Sequence, residues 1–210
     1  MPVLKSLGLK LQLSKNMKLI PDSKPNIKKV EINQVLAKYA DKITTKLVIV
    51  GVRGYYSKSM GNTAGNDKNV YDDAIIVIGD GVYQTFNANT DPSFVKKGGR
   101  SLAMLNTGVY QFYKGRHKGQ YNALRAYPEG VVLNCTRDGE PSTCSAINIH
   151  KGGINPNASD KVWSAGCQTL PMNQWQGFIE LVYAQMLKHG EKTVTYILID
   201  NEELQTILNS

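Results

Sequence analysis

A cysteine and a histidine are the residues of this sequence best suited to chemistry. Cys167 stands in the run "VWSAGCQTLP", and His150 ends the run "INIH", seventeen residues earlier. A cysteine becomes a nucleophile when a neighbouring base removes its proton, and histidine is the most frequent base. Isolated cysteines are more often buried core residues, and some are metal ligands. The residues around Cys167 and His150 indicate which of these three roles the cysteine has.

The residues next to Cys167 favour the nucleophile. The run 164–166 (Ser-Ala-Gly) is small, so the backbone can turn tightly and point the amides of Gly166 and Cys167 at a developing oxyanion. Pro171 follows shortly and begins a helical pattern. Proximity to a helix N-terminus favours the thiolate form of a cysteine.

The base predicted for this thiol is His150. It ends a predicted strand, and the lysine and two glycines that follow it (Gly152 and Gly153) form a flexible run typical of the rim of a cleft. A strand-end histidine and a turn cysteine can meet across a cleft although they are separated in sequence. The sequence therefore predicts a thiol–imidazole pair.

The other two histidines have weaker local surroundings. His117 lies between basic residues in "KGRHKGQ", which predicts an exposed side chain, although a role in the cleft stays open. His189 ends a predicted helix, which is typical of a solvated cap. His150 is therefore the best candidate for the base.

The cysteines and histidines do not form a predicted metal site. A zinc site needs three or four ligands, commonly in closely spaced pairs. The three cysteines and His150 form no CxxC or HExxH pattern. We therefore expect no metal and no cofactor. Without a sign of an oxidising compartment, we expect Cys135 and Cys144 to be free thiols.

The two runs together resemble the L,D-transpeptidase catalytic domain. The signature of that family is a His-Gly segment followed by Ser-x-Gly-Cys-x-Arg. His150 matches the histidine of the first part. Ser164, Gly166 and Cys167 match the second part.

The sequence departs from the family pattern at two positions. Thr169 replaces the arginine, which in the family helps to organise the substrate site, and Lys151 follows the histidine where the family has glycine. More loosely, the region from about Leu47 to Trp175 resembles phage- and prophage-type proteins of unclear role. The shared runs are "GVRGYY", "YDDAI", "NANTDPS", "INIHKGG" and "SAGCQT".

The resemblance implies attack of a thiolate on a peptidoglycan stem peptide at the diaminopimelate carbonyl, with a thioester intermediate. An amine then resolves the thioester in transpeptidation, or water does so in carboxypeptidase or endopeptidase action. His150 takes the thiol proton, the Gly166 and Cys167 amides hold the oxyanion, and Ser164 orients His150. The residues predicted to contact substrate are Trp163, Gly152, Gly153, Thr169 and His117, and a core position for Trp163 is equally compatible with the sequence.

Other functions stay open at this point. A non-catalytic cell-wall-binding or virion structural protein could retain the same fold, and a cysteine peptidase or toxin could act on another peptide. The acidic runs "YDDAI" and "NANTDPS" could line a groove or bind a cation, but Asp and Asn are also ordinary turn formers, and we favour a structural role.

Positive charge is concentrated at the N-terminus. The chain has 210 residues and a net charge of +8, and residues 1–30 hold seven lysines against one acid, Asp22. We expect a basic N-terminal segment (1–28) and a single catalytic domain (29–210). The segment can attract anionic wall polymers or serve as a solvated arm. No nucleic-acid-binding module accompanies the charge, so a specific nucleic-acid partner is not predicted.

The apolar runs are short. "LVIV" and "AIIVI" have the length of strands, far below the roughly 18 residues of a transmembrane helix. Lysines interrupt the N-terminus, so we see no signal peptide. We expect a protein made in the cytoplasm that acts at the cell wall, after phage-type release or non-standard export.

Strand patterns dominate the middle of the chain. Period-2 or continuous apolar runs predict strands at 7–13 and from 46 to 149, with loops over 57–69 and 87–101. Helical spacing begins at Val30 and again after Pro171, and Asn201 is the expected N-cap of a short terminal helix. The predicted fold is mainly β with a few helices (α+β), a sandwich or open barrel with helices packed on it.

Overall fold

The computed structural model describes residues 18–56, 60, 68–93, 96–97, 99–153 and 162–210. The predicted strand at 7–13 lies outside these ranges. The helices are α1 (Lys29–Lys38), α2 (Met172–Lys188) and α3 (Asn201–Leu208), with a short 3-10 turn at Ala40–Lys42. The strands are β1 (Val48–Arg53), β2 (Asp73–Gly79), β3 (Val82–Ala88), β4 (Lys96–Lys97), β5 (Arg100–Ser101), β6 (Met104–Leu105), β7 (Gly108–His117), β8 (Tyr121–Ala126), β9 (Leu133–Arg137), β10 (Glu140–Cys144), β11 (Asn148–Lys151), β12 (Gln168–Leu170) and β13 (Thr193–Asp200).

One eight-stranded sheet organises the described part of the chain. Its order is β12-β11-β8-β7-β13-β1-β2-β3, and β1/β13 and β11/β12 are parallel pairs. An antiparallel bridge joins Asn89, just after β3, to Thr169 in β12, with N···O distances of 2.8 and 2.7 Å. The two ends of the sheet order therefore meet, and the sheet is nearly a closed barrel. The prediction of a mainly β fold with a few helices is confirmed.

Apolar residues cover both faces of the central strands. All six residues of β1 are buried, which explains why its sequence is apolar without alternation up to Arg53, its last residue. One face packs on α2 and the small β10-β9-β6 sheet, through a core that includes Trp175, Phe178 and Val182. The other face packs on α1 and α3. Helix α2 also contacts β3 and β11, so it lies across the two sides of the barrel that carry the bridge.

Three local features differ from the sequence predictions. Strand β10 has the sequence "EPSTC" and forms a short hairpin with β9, although its residue types are typical of a turn. Part of the predicted loop 87–101 is strand, because β3 continues to Ala88 and β4 pairs with β5. The N-cap of α3 is Asp200, whose carboxylate accepts from the Glu203 amide at 2.8 Å, so the prediction of Asn201 was wrong by one residue.

The described part of the basic N-terminal segment lies along β3. The carbonyl of Pro25 accepts from the Thr85 hydroxyl at 2.8 Å, and that of Ile27 accepts from the Tyr83 hydroxyl at 2.6 Å. In the described ranges, no helix is both long enough and apolar enough to cross a membrane.

Candidate active site

Two parallel strands bring His150 and Cys167 together. His150 pairs with Thr169 in the β11/β12 register, and Cys167 directly precedes β12. The register therefore continues to Asn148, whose backbone amide donates to the Cys167 thiol. Partners across a sheet point to the same face, and alternate residues of a strand share a face. Asn148, His150 and Cys167 therefore share one face, whereas Ile149 points into the core.

A hydrogen-bonded turn presents the cysteine. The Ser164 hydroxyl donates to the Cys167 carbonyl at 2.6 Å and accepts from the Gly166 amide at 3.1 Å. The Ser164 amide donates to the Ser93 hydroxyl at 2.8 Å, and the Ser93 amide donates to the Ser164 carbonyl at 2.8 Å. These bonds of Ser164 close the turn rather than orient His150, which corrects its predicted role. The Gly166 amide is also engaged inside the turn, so its predicted part in an oxyanion hole requires that bond to break.

Gly166 is required by the backbone geometry of this turn. Its φ is +138°, and a Cβ at this position would lie 2.6 Å from the Ala103 carbonyl oxygen. Any side chain would collide with the backbone there. Gly166, which was predicted as part of an oxyanion hole, is therefore needed for packing against Ala103.

A cavity of about 540 Å³ lies in front of the thiol. We call it the thiol cleft, and its lining includes His117, Lys118, His150, Trp163 and Cys167. A second cavity of about 430 Å³ shares four of these residues and extends to Tyr121 and Lys151. We call it the adjoining cavity. The thiol and the buried imidazole thus line the same ligand-sized space.

Unusual backbone conformations concentrate at the thiol cleft. Among the described residues, five other than glycine have a positive φ, and three of these line the cleft: Lys118 (49°), Ala146 (56°) and Trp163 (57°). Such conformations are uncommon for residues other than glycine, and they cluster at functional sites because the surrounding structure has to hold them. This clustering supports a functional role for the cleft.

The hydrogen bonds of His150 fix its proton. Nδ1 lies 2.7 Å from the Lys151 carbonyl oxygen, and 3.2 Å from the Tyr121 hydroxyl. A carbonyl only accepts, so Nδ1 of the neutral ring carries the hydrogen. Nε2 is then the ring nitrogen without a hydrogen, and this is the atom able to take a proton from a thiol.

His117 stacks on His150 and is not exposed as predicted. The ring centroids are 4.1 Å apart with an interplanar angle of 25°, and His117 is half-buried. Its Nδ1 lies 3.0 Å from Nδ2 of Asn148. Burial and, secondly, the charge of Lys118 lower the pKa of His117. The β7–β8 turn produces this contact, because it folds residues 117–121 over the end of β11.

The Cys167 thiol is protonated at neutral pH. Burial raises the pKa of the thiol to about 11, although the residue is partly exposed. The Asn148 amide and the Lys118 charge act in the opposite direction and lower it. The Sγ also lies 3.8 Å from the Ala146 carbonyl oxygen. The resting site therefore holds a neutral thiol.

The other predicted contact residues divide into two groups. Trp163 is 45% exposed at the mouth of the thiol cleft, so it is not a core residue. Thr169 is fully buried, and its backbone pairs with Asn89. Gly152 and Gly153 are also buried, against Tyr71, whose hydroxyl donates to the Gly153 carbonyl at 2.6 Å. The two glycines therefore form a packed strand end rather than a flexible rim.

Buried charged residues hold the segment that anchors the Ser164 turn. The sequence did not indicate that they belong to the site. The Arg53 guanidinium pairs with Asp91 at 3.0 Å and donates to the Thr90 carbonyl at 2.9 Å. Asp73 accepts from the amides of Gly54 and Thr90. This network fixes the segment that leads to Ser93, so the two acidic runs are structural, as favoured.

The described residues contain no group of three or more histidines, cysteines or acids that could hold a metal ion, and all three cysteines are free thiols. Comparison with protein-family models and with curated proteins finds no match for this chain. The chemistry of the site therefore has to be argued from its residues.

Proposed function

We propose that this protein is a cysteine-dependent enzyme that acts on peptidoglycan stem peptides through an acyl-enzyme thioester at Cys167. The observation that supports the proposal best is the shared cleft: Cys167 and His150 line one cavity, and Nε2 of His150 is the ring nitrogen that carries no hydrogen. The substrate class comes from the resemblance of the His150 and Cys167 runs to L,D-transpeptidases.

In the proposed reaction, His150 acts as a general base during the attack. Its Nε2 takes the thiol proton as Sγ adds to the peptide carbonyl, because the neutral thiol has to lose its proton before or during this step. The imidazolium then protonates the leaving amine, and the carbonyl carbon stays bonded to sulfur as a thioester. Water or a second amine, deprotonated by His150, attacks the thioester and releases the thiol. Hydrolysis and L,D-transpeptidation differ only in this last nucleophile.

The test compares muropeptides after incubation of purified peptidoglycan with the wild type and with Cys167→Ala. We expect mass spectrometry to find new fragments or new cross-links with the wild type and none with the variant. His150→Gln should lower the yield by about 10²-fold or more, because general-base catalysis contributes roughly that factor. Cys135→Ala, which changes a buried thiol outside the cleft lining, is the matched control and should retain activity.

A second candidate function is wall binding without catalysis. The half-exposed Trp163 and the surrounding cations favour it, since aromatic and basic residues at a cleft mouth also suit a binding site. Identical muropeptides from the wild type and Cys167→Ala, with both proteins sedimenting with the wall, would favour binding over the enzyme.

A further inference from the structure

Positive charge surrounds Cys167 without matching negative charge. Arg116, Lys118 and Arg125 line the thiol cleft, and Lys118 and Lys151 line the adjoining cavity. Among the described residues that line these two cavities, none is an aspartate or a glutamate. A water-accessible cleft with charge of one sign attracts ligands of the opposite sign.

Three of these cations are not neutralised by an acid within the described residues. Arg116 donates to the carbonyls of Gly119 and Gln120, which leave its charge in place. Lys151 lies over the Tyr121 ring, with Nζ 4.4 Å from the centroid. Lys118 has no hydrogen bond or ion pair there. Arg125 differs from them, because it pairs with Glu129 at 2.9 Å.

Lys118 is the cation most directly linked to the reacting groups. It follows His117 at the end of β7, and its φ of 49° holds the β7–β8 turn at the edge of the cleft. Its charge lowers the pKa of the Cys167 thiol and of His117, so the ammonium group lies within electrostatic reach of both. Since Lys118 and Cys167 line the same cleft, a ligand carboxylate bound by Lys118 would lie in the cavity that the sulfur faces.

We propose that the thiol cleft binds a carboxylate of the acyl donor, with Lys118 as its main ligand and Arg116 beside it. The substrate class is then an acidic peptide that carries a free carboxylate close to the carbonyl attacked by Cys167. This inference rests on the proposed function in one respect, namely that the bound peptide is the acyl donor. The anion site itself can be tested without turnover.

The test uses two alkylating reagents of similar size and different charge. Iodoacetate is anionic and iodoacetamide is neutral, and mass spectrometry measures the modification rate of each at Cys167. The ratio of the two rates cancels any change in thiol pKa, because both reagents need the same thiolate. We expect the folded protein to have a higher iodoacetate-to-iodoacetamide ratio than the urea-unfolded chain.

The decisive variant is Lys118→Asn. Asparagine tolerates a positive φ, so the turn is preserved while the charge is removed. The ratio should fall about fivefold, as expected for the loss of one nearby, partly screened charge. In 1 M salt, where the screening length is about 3 Å, the difference between wild type and variant should largely disappear. Lys118→Arg should keep the ratio.

Lys188→Gln is the matched control, since Lys188 is an exposed lysine in the last turn of α2 and lines neither cavity. It should leave the ratio unchanged. Equal ratios in the wild type and Lys118→Asn, or an equal fall with Lys188→Gln, would overturn the anion site.

A peptide pair connects the anion site to the donor. In the Cys167→Ala background, a stem tetrapeptide with a free terminal carboxylate should bind about fivefold more tightly than its terminal amide, and Lys118→Asn should abolish the difference. Equal binding of acid and amide would overturn the carboxylate assignment. A charge preference without new muropeptides would retain the anion site and reject the enzyme. New muropeptides without a charge preference would retain the enzyme and reject the anion site.

Discussion

At the scale of single residues, the central feature is a thiol that keeps its proton. Burial raises the pKa of Cys167 to about 11, whereas a cysteine poised as a thiolate has a pKa depressed below its ordinary value. The stacked pair of His117 and His150 opposes a second positive charge, because two imidazolium rings in contact repel each other. The site is therefore arranged for proton transfer during attack, not for a resting ion pair.

The pH dependence of thiol modification tests this arrangement. Only the thiolate reacts, so the rate of iodoacetamide modification of Cys167 should rise about tenfold per pH unit from pH 7 to pH 10 and level off only near pH 11. Mass spectrometry of the Cys167 peptide gives the rate at each pH. A plateau already reached at pH 7 would instead indicate a thiolate–imidazolium pair.

The sequence contained enough information for part of this site. Cys167 and His150 were predictable because their immediate neighbours, small residues and a strand end, indicate the local backbone. His117 was not, since its contact with His150 depends on the β7–β8 turn, and its basic neighbours suggested exposure. The thiol–imidazole reaction itself stays a prediction.

At the scale of elements, the turn before β12 controls where the sulfur lies. Ser164 closes this turn with two hydrogen bonds, and Gly166 fits against the Ala103 carbonyl. The turn is anchored to the segment after β3 through Ser93. Strand β12 alone, with three residues, could not supply this anchoring.

Two glycine substitutions should have opposite effects on stability. Gly166→Ala should lower the free energy of unfolding by more than about 1 kcal/mol, because its φ of +138° and the 2.6 Å approach to a carbonyl both oppose a methyl group. Gly177→Ala, in the exposed middle of α2 with open space around it, should raise it by about 0.5–1 kcal/mol. Urea unfolding measures both. A Gly166→Ala protein as stable as the wild type would contradict the proposed packing.

Elements were predictable from sequence to the extent that their patterns are strong. Strands β1, β2 and β13 and helix α2 have long apolar patterns, so burial alone specifies them. Strand β10, with the sequence "EPSTC", lacks such a pattern, because it forms from pairing with β9 rather than from its own hydrophobicity. Short pairings of this kind depend on the tertiary fold.

At the scale of the whole molecule, buried charges lie where the barrel closes. Asp73 and Asp91 are fully buried, and the Arg53 guanidinium pairs with Asp91. Burial, and then the Asp91 carboxylate, raise the pKa of Asp73 well above its ordinary value, although two backbone amides and Arg53 act to lower it. Between about pH 4 and pH 7, the folded protein therefore holds a proton on Asp73 that the unfolded chain releases.

The stability of the protein should consequently depend on pH in a defined direction. A raised carboxyl pKa contributes stability below pH 4, and this contribution is lost as pH rises through the value in the folded state. We expect the wild-type free energy of unfolding to fall, between pH 4 and pH 8, relative to that of Asp73→Asn, which cannot ionise. Urea titrations of both proteins at each pH supply the comparison, and parallel pH curves would contradict it.

The bridge between Asn89 and Thr169 gives the nucleophile an additional property. Thr169 lies two positions after Cys167, and its partner is eighty residues away in the chain. We expect any fluctuation that separates these two amide–carbonyl pairs to move the chain at Cys167 as well. On heating, we expect β12 to separate from the segment after β3 before the hydrophobic core unfolds. The labelling rate of Cys167 should therefore change before the core unfolds. The reactivity of the thiol and the closure of the barrel should therefore depend on the same two hydrogen bonds.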